Sequence, residues 1–198
     1  MKGIHCFAEH AEQRVLLSVQ VMIKKVLIVF LLVFAGVLFF APIKPVLSIS
    51  CRKNNSEKYF ISTARMEGFE IAYTHSVNKG RVHDFYDIHK SEGLLLTGTH
   101  FVSYGAGIPE PGEMPGSQFR VTDDGYEIVN INREVDRLVM AVGLIANHTI
   151  TFWTYKNGKE PAAHKYKMAD LFSPQTSIIL EKKRVSLLSY IFHKLKET

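Results

Sequence analysis

The chain has 198 residues, 46% hydrophobic and 22% charged, with a formal net charge of +5. This balance excludes a disordered polar chain, and the length suits one domain with a further segment attached. The basic residues form no groove-like run and no nucleic-acid motif accompanies them, so a membrane surface suits them better than a nucleic acid.

Two cysteines, Cys6 and Cys51, form no CxxC, no metal-ligand spacing and no disulfide framework, and no cofactor or metal is expected. From Met22 the chain reads "MIKKVLIVFLLVFAGVLFFAP": Lys24 and Lys25, sixteen apolar residues at 26–41, then Pro42. That is the build of an export signal or membrane anchor, and the lysines predict a cytoplasmic N-terminus with everything after Pro42 outside. A buried core helix fits badly, because no polar face interrupts the run. Residues 1–21 are polar and irregular, and are read as an upstream extension with Met22 as the true start. No small-x-small site follows Ala41 closely, so an uncleaved anchor is favoured over a cleaved signal. "SISC" before Cys51 loosely resembles a lipobox, but "VLSISCR" reads better as a strand.

From Val46 to Lys182 the apolar pattern has period two. Strands are expected at 46–52, 58–63, 68–77, 82–89, 94–103, 126–131, 136–142, 149–155, 163–168 and 176–182. Turn signals such as "KNNSE", "NKGR", "KSEG", "TDDG" and "KNGK" separate them. The fold class is therefore all-β: an antiparallel sandwich or barrel-like domain over 42–182, after an N-terminal hydrophobic helix at 22–41. Residues 183–198 form a basic tail. In "RVSLLSYIFHKLKET" Val185, Leu188, Ile191, Phe192 and Leu195 share one helical face, which lies on the membrane, docks on a partner or packs on its own domain.

One hairpin carries an unusual cargo. In "IAYTHSVNKGRVHDFYDI", a loop at 78–81 would pair Val77 with Val82, His75 with Asp84, Tyr73 with Tyr86 and Ile71 with Ile88 on one face. Like faces like on three rungs, and the fourth sets an imidazole against a carboxylate. That rung is either a satisfied polar pair that pins the register or the floor of a small polar site. Ser76 points to the opposite face, which argues against a Ser–His nucleophile. His83, His89 and His100 have no spacing that supports a metal.

An irregular stretch, "YGAGIPEPGEMPGSQF" at 104–119, breaks the strand rhythm. Gly105 and Gly107 permit positive φ, so the loop is either a strand-end turn or a backbone cradle for a small anion. Folded back over the hairpin, it would sit beside Tyr73, His75, Asp84 and Tyr86.

These segments together resemble the DUF1850 family of exported bacterial proteins. Tyr73, His75, Ser76 and Val77 match its Y-x-H-S-V pattern, and Tyr104, Gly105, Ala106, Gly107 and Pro109 match its G-A-G-x-P loop. Val82, Asp84 and Tyr86 match V-x-E-x-Y with Asp in the place of Glu, which shortens the reach of the acid. The resemblance extends from Pro42 to about Tyr155. It implies a small exported protein encoded near transporters of the tripartite ATP-independent periplasmic (TRAP) type, TAXI subclass, and it carries no established activity. The candidate ligand- or partner-binding residues are Tyr73, His75, Ser76, Asp84, Tyr86, Tyr104, Gly105 and Gly107, with no catalytic residue. The expectation is a non-enzymatic extracytoplasmic accessory protein of a TRAP solute transporter, held by its N-terminal helix. A module that binds a small carboxylate is the alternative, and an exported hydrolase the third reading.

Overall fold

The computed structural model describes residues 2–53, 58–89, 93–104, 107, 110, 112–155 and 160–194, with side chains in the first helix given at residue 17 and from residue 19 onward. Helix α1 (Lys2–Phe40) runs without a break through the segment read as an extension. Its apolar part, Val19–Phe40, is 22 residues long and 0% buried within the protein, so it is not a core helix. At 1.5 Å per residue it spans ~33 Å, enough to cross a hydrocarbon layer of ~30 Å. Membrane anchors and signal sequences share this length and composition.

The rest of the described chain is mostly antiparallel β-structure. Four strands form one sheet: β1 (Lys44–Cys51), β2 (Lys58–Ser62), β8 (Arg137–Ala141) and β11 (Ser177–Val185), in the order β2-β1-β11-β8. Seven form the other: β3 (Met66–Thr74), β4 (Arg81–Asp87), β5 (Leu94–Phe101), β6 (Gln118–Thr122), β7 (Gly125–Val135), β9 (Thr149–Thr154) and β10 (Ala162–Lys167), in the order β10-β9-β3-β4-β5-β7-β6. A single 3-10 turn (Thr63–Arg65) carries the chain from one sheet to the other. Two short helices, α2 (Met168–Leu171) and α3 (Leu187–His193), flank β11.

The inner faces meet in one core. Leu47, Ile49, Ile178 and Leu180 from the smaller sheet pack against Phe69, Ile71, Phe101, Ile150 and Phe152 from the larger. Each such side chain contributes ~1.5–3 kcal/mol by leaving water. The central strand β1 is buried on both faces from Val46 to Cys51, since Phe60, Val185 and Tyr190 cover its outer side. Cys51 is a free, buried cysteine at the end of this strand. Lipoprotein cleavage before it would remove the strand, so the strand reading stands.

All ten expected strands are present with shifted ends, and one more appears. Strand β6 occupies the end of the stretch that reads as an irregular loop, closing a hairpin with β7 through Thr122 and Gly125. The turn is set by Asp124, whose carboxylate accepts from the Thr122 hydroxyl at 3.0 Å. Gly125 is required there: at φ +156°, a Cβ would lie 2.5 Å from the Phe101 carbonyl oxygen.

Strand β7 carries a wide irregularity. Its pairing with β5 jumps from Gly98–Val129 to Leu96–Arg133, and Asn130 and Asn132 take positive φ (59° and 51°) to make the jump. Asparagine tolerates this region better than most residues. The bulge turns Ile131 into the core and sets Arg133 opposite Leu96.

Candidate functional site: an inter-sheet cavity around Asp84

The β3–β4 hairpin forms, but with a different loop. Residues 76–79 make the turn, closed by the His75 N–H donating to the Gly80 carbonyl at 2.9 Å. Three local interactions select this loop over 78–81. The Asn78 side-chain oxygen accepts from the Gly80 N–H at 2.9 Å. His75 Nδ1 accepts from the N–H groups of Val77 and Asn78 at 3.3 and 3.5 Å. Lys79 takes the left-handed conformation at φ 59°.

The expected His75–Asp84 rung is therefore wrong. Asp84 faces Ile71, four residues before His75, and Tyr73 faces Val82. Tyr86 faces Phe69, and the two rings stack 4.9 Å apart. Because the slide is an even number of residues, the faces are preserved. Ile71, Tyr73, Asp84 and Tyr86 still share the inner side of the sheet, while His75 becomes a loop cap.

These four residues line one cavity of about 230 Å³, together with Leu138 and Met140 of β8 and His148 before β9. The cavity opens between the sheets where the edge strand β8 lies over β3 and β4. Asp84 is its chemical centre. Withdrawal from water raises its pKa above the ordinary 3.8, and the Thr99 hydroxyl, the charge of Arg133, the Tyr73 hydroxyl and His83 act against that rise. Thr99 stands opposite Asp84 on β5. Tyr73 is pushed up to about 12, by burial first and then by the charge and hydrogen bond of Asp84. Tyr86 is raised too, by burial and by Asp84.

His148 completes the set. Its pKa is lowered by burial and by the nearby Arg81, so the ring favours its neutral form. Its Nδ1 accepts from the Gly143 N–H at 3.2 Å, which places the proton on Nε2. Arg81 braces the same loop by donating to the carbonyls of Ala146 and Asn147 (3.3 and 2.9 Å) and to the Thr149 hydroxyl (2.9 Å). The cavity thus sets two phenols and an imidazole beside one acid, which a threonine hydroxyl bonds and an arginine influences by its charge.

The other expected site residues lie elsewhere. His75 touches the glycine-rich loop: a Cβ on Gly107, at φ +87°, would come 3.2 Å from His75 Nε2. Ser76 is exposed in the turn and lines a separate groove of about 500 Å³ with Lys79, Leu144, Ile145 and Gln175. Tyr104 joins an aromatic cluster with Phe101, Phe119 and Tyr126, at centroid distances of 5.3–6.0 Å. Gly105, Ala106 and Pro109 lie outside the described residues.

On the outer face of the larger sheet, His83 Nδ1 meets the Glu70 carboxylate at 2.9 Å and its ring stands 5.8 Å from that of His100. Asp124 Oδ1 lies 3.4 Å from His100 Nε2. His89 Nε2 turns instead to the Met66 carbonyl. Among the described residues, no group of three His, Cys, Asp or Glu is placed to hold a metal ion.

Sequence reasoning missed Thr99, Arg133, Leu138, Met140 and His148 as members of the site. The alternation of Leu138, Met140 and Val142 in the expected strand 136–142 was the signal that could have placed two of them inward, whereas the bulge between Leu96 and Gly98 breaks the alternation that leads to Thr99.

Residues 69–157 match the family model described as a domain of unknown function, DUF1850. The matched segment begins at Phe69 in β3 rather than at Pro42, and it holds every residue that lines the cavity. No curated protein matches the chain, and no solved structure does.

Proposed function

Taking residues 69–157 as a domain of the DUF1850 family, we propose that the protein is a non-enzymatic module, tethered outside the cytoplasm by α1, that binds a small organic acid between its sheets. We place it beside a TRAP-type solute transporter as an accessory subunit. One observation carries the binding reading: hydrogen-bond donors converge on a buried acid inside an otherwise apolar cavity.

The donor set suits a carboxylate. The Tyr86 hydroxyl and His148 Nε2–H can each donate a hydrogen bond to an anionic oxygen, the Tyr73 and Thr99 hydroxyls bond Asp84 itself, and the charge of Arg133 acts on the same acid. Burial favours protonated Asp84, which can then share its proton with a ligand carboxylate instead of repelling it. At about 230 Å³ the cavity is below the ~300–1,000 Å³ of drug-sized sites, so the occupant is small.

Thermal-shift measurements on the full chain with short mono- and dicarboxylates test this. Stabilisation is expected at pH 5, less at pH 8, and none in Arg133→Ala, whose side chain is exposed and outside the core. If no acid shifts the transition, the cavity reading fails. Uptake in a deletion strain, together with co-purification of transporter subunits, tests the accessory role; unchanged uptake and no association would refute it.

A second reading has its own observation. At the turn end of the hairpin, Val77, Leu144 and Ile145 are 65%, 68% and 84% exposed. A patch of this kind suits a protein partner better than water. Charging it with Leu144→Lys and Ile145→Lys should weaken co-purification and leave acid binding intact.

A further inference from the structure

We infer that α3 is an interfacial foot: Ile191 and Phe192 insert into the lipid–water boundary beside α1, and the basic residues around them contact anionic headgroups. The inference rests on α1 being membrane-embedded, and it adds a second, independent contact with the same bilayer.

The position of α3 follows from strand pairing. The apolar run of α1 ends at Phe40, and β1 begins four residues later at Lys44. At ~3.3 Å per extended residue, Lys44 is within ~13 Å of the end of that run. Val185, the last residue of β11, pairs with Lys44. Ser186 then caps α3, its side chain accepting from the Ser189 N–H at 3.1 Å. Helix α3 therefore starts at the level where α1 leaves the bilayer, and the two helices are in contact.

One side of α3 is used by the domain. Tyr190 packs with Val46, Phe60 and Val185, and Lys44 Nζ sits 5.0 Å from the Tyr190 ring centre. His193 stands 5.4 Å from Phe60. The other side has no such cover: Ile191 is 58% and Phe192 76% exposed, and Ile43 on the connector is 49% exposed.

Charge selects the occupant. Lys44 lies over Tyr190, Arg184 and Lys194 flank the helix in the chain, and Glu181 of β11 is paired with Lys183 at 2.8 Å. An apolar pair flanked by lysine and arginine, at the foot of a membrane-length helix, matches a lipid surface carrying negative headgroups.

Site-directed spin labelling of the full chain in vesicles tests this, in a background with Cys6 and Cys51 replaced. Labels are placed at Phe192→Cys, at Leu144→Cys as the distal control, and at Val33→Cys within α1. Accessibility is compared for oxygen and for a water-soluble nickel complex, in phosphatidylcholine alone and with phosphatidylglycerol added. The label at 192 should favour oxygen several-fold over the label at 144, and more so with phosphatidylglycerol. Arg184→Ala with Lys194→Ala should remove that increment while leaving the unfolding midpoint unchanged.

An aqueous reading at 192 with a bilayer reading at 33 overturns the foot and leaves the anchor standing. An aqueous reading at 33 with 192 still in lipid overturns the anchor, and with it the placement of the foot beside a membrane-embedded α1. Dipolar broadening at 192 that persists in detergent would place a second copy over the patch, and that also overturns it.

Discussion

Asp84 is held where a carboxylate is costly. The folded protein keeps a proton on it that the unfolded chain releases near the ordinary 3.8, because burial raises the folded value. Its contribution to stability is therefore complete below pH 3.8 and is lost as pH rises through the folded value. Asp84→Asn should accordingly raise the unfolding midpoint by a few degrees at pH 7, with the gain shrinking toward pH 4; equal stability at both pH values would show that the carboxyl is not desolvated. The same variant removes the negative charge that helps hold Tyr73 near 12. Ultraviolet titration should then show two tyrosines, Tyr73 and Tyr86, ionising at lower pH, though still above the ordinary 10 because burial remains. His75 has a different task. Its imidazole caps two backbone N–H groups of the turn, so His75→Ala should cost about 1 kcal/mol in chemical denaturation and leave acid binding unaffected. That split would separate the loop cap from the site.

At the scale of elements, the cavity exists because three pieces of chain are held apart by fixed backbone geometry. Gly68 marks one of them. It sits at the bulge between β3 and β9, and a Cβ there would meet the Tyr86 carbonyl oxygen at 2.7 Å. The obstacle is backbone in a central strand pair and cannot swing away. Gly68→Ala should cost about 2 kcal/mol or more, measured as a lowered denaturation midpoint with an unchanged slope. The loop that brings in His148 depends on Arg81, which donates to the Ala146 and Asn147 carbonyls and the Thr149 hydroxyl. Arg81→Ala should weaken acid binding more than it lowers stability, because it frees His148 from its place without opening the core. A calorimetric titration beside the unfolding curve would separate the two effects. The β7 bulge belongs here too, since Asn130 and Asn132 re-aim Arg133 without adding a loop.

For the whole molecule, an apolar helix of membrane length adjoins a two-sheet sandwich whose chain re-enters the helix end through β11 and α3. Deleting residues 1–41 should release a folded β-domain into the soluble fraction, because none of the apolar part of α1 contributes to the core. Loss of the cooperative unfolding transition in that truncated chain would contradict this.

How much of this was legible beforehand depends on the range of the interaction that decides it. Strand positions, the sandwich class and the apolar helix follow from period-two alternation and one long uninterrupted run, properties carried by neighbouring residues. Alternation also settled that Tyr73, Asp84 and Tyr86 share a face, since an even slide of register preserves it. The register did not follow, because symmetric pairs of like residues weighed less than His75 and Asn78 bonding to their own turn. Strand β6 was hidden for a related reason: a glycine- and proline-rich stretch gives no local sign of where it rejoins a sheet. The cavity depended on neither. It arises where β8, an edge strand of one sheet, comes to lie over β3 and β4 of the other, and where a distant loop adds His148. Sequence by itself therefore decided which residues look inward; only tertiary packing between the sheets decided what they look at, because no side-chain periodicity encodes contacts across a sandwich.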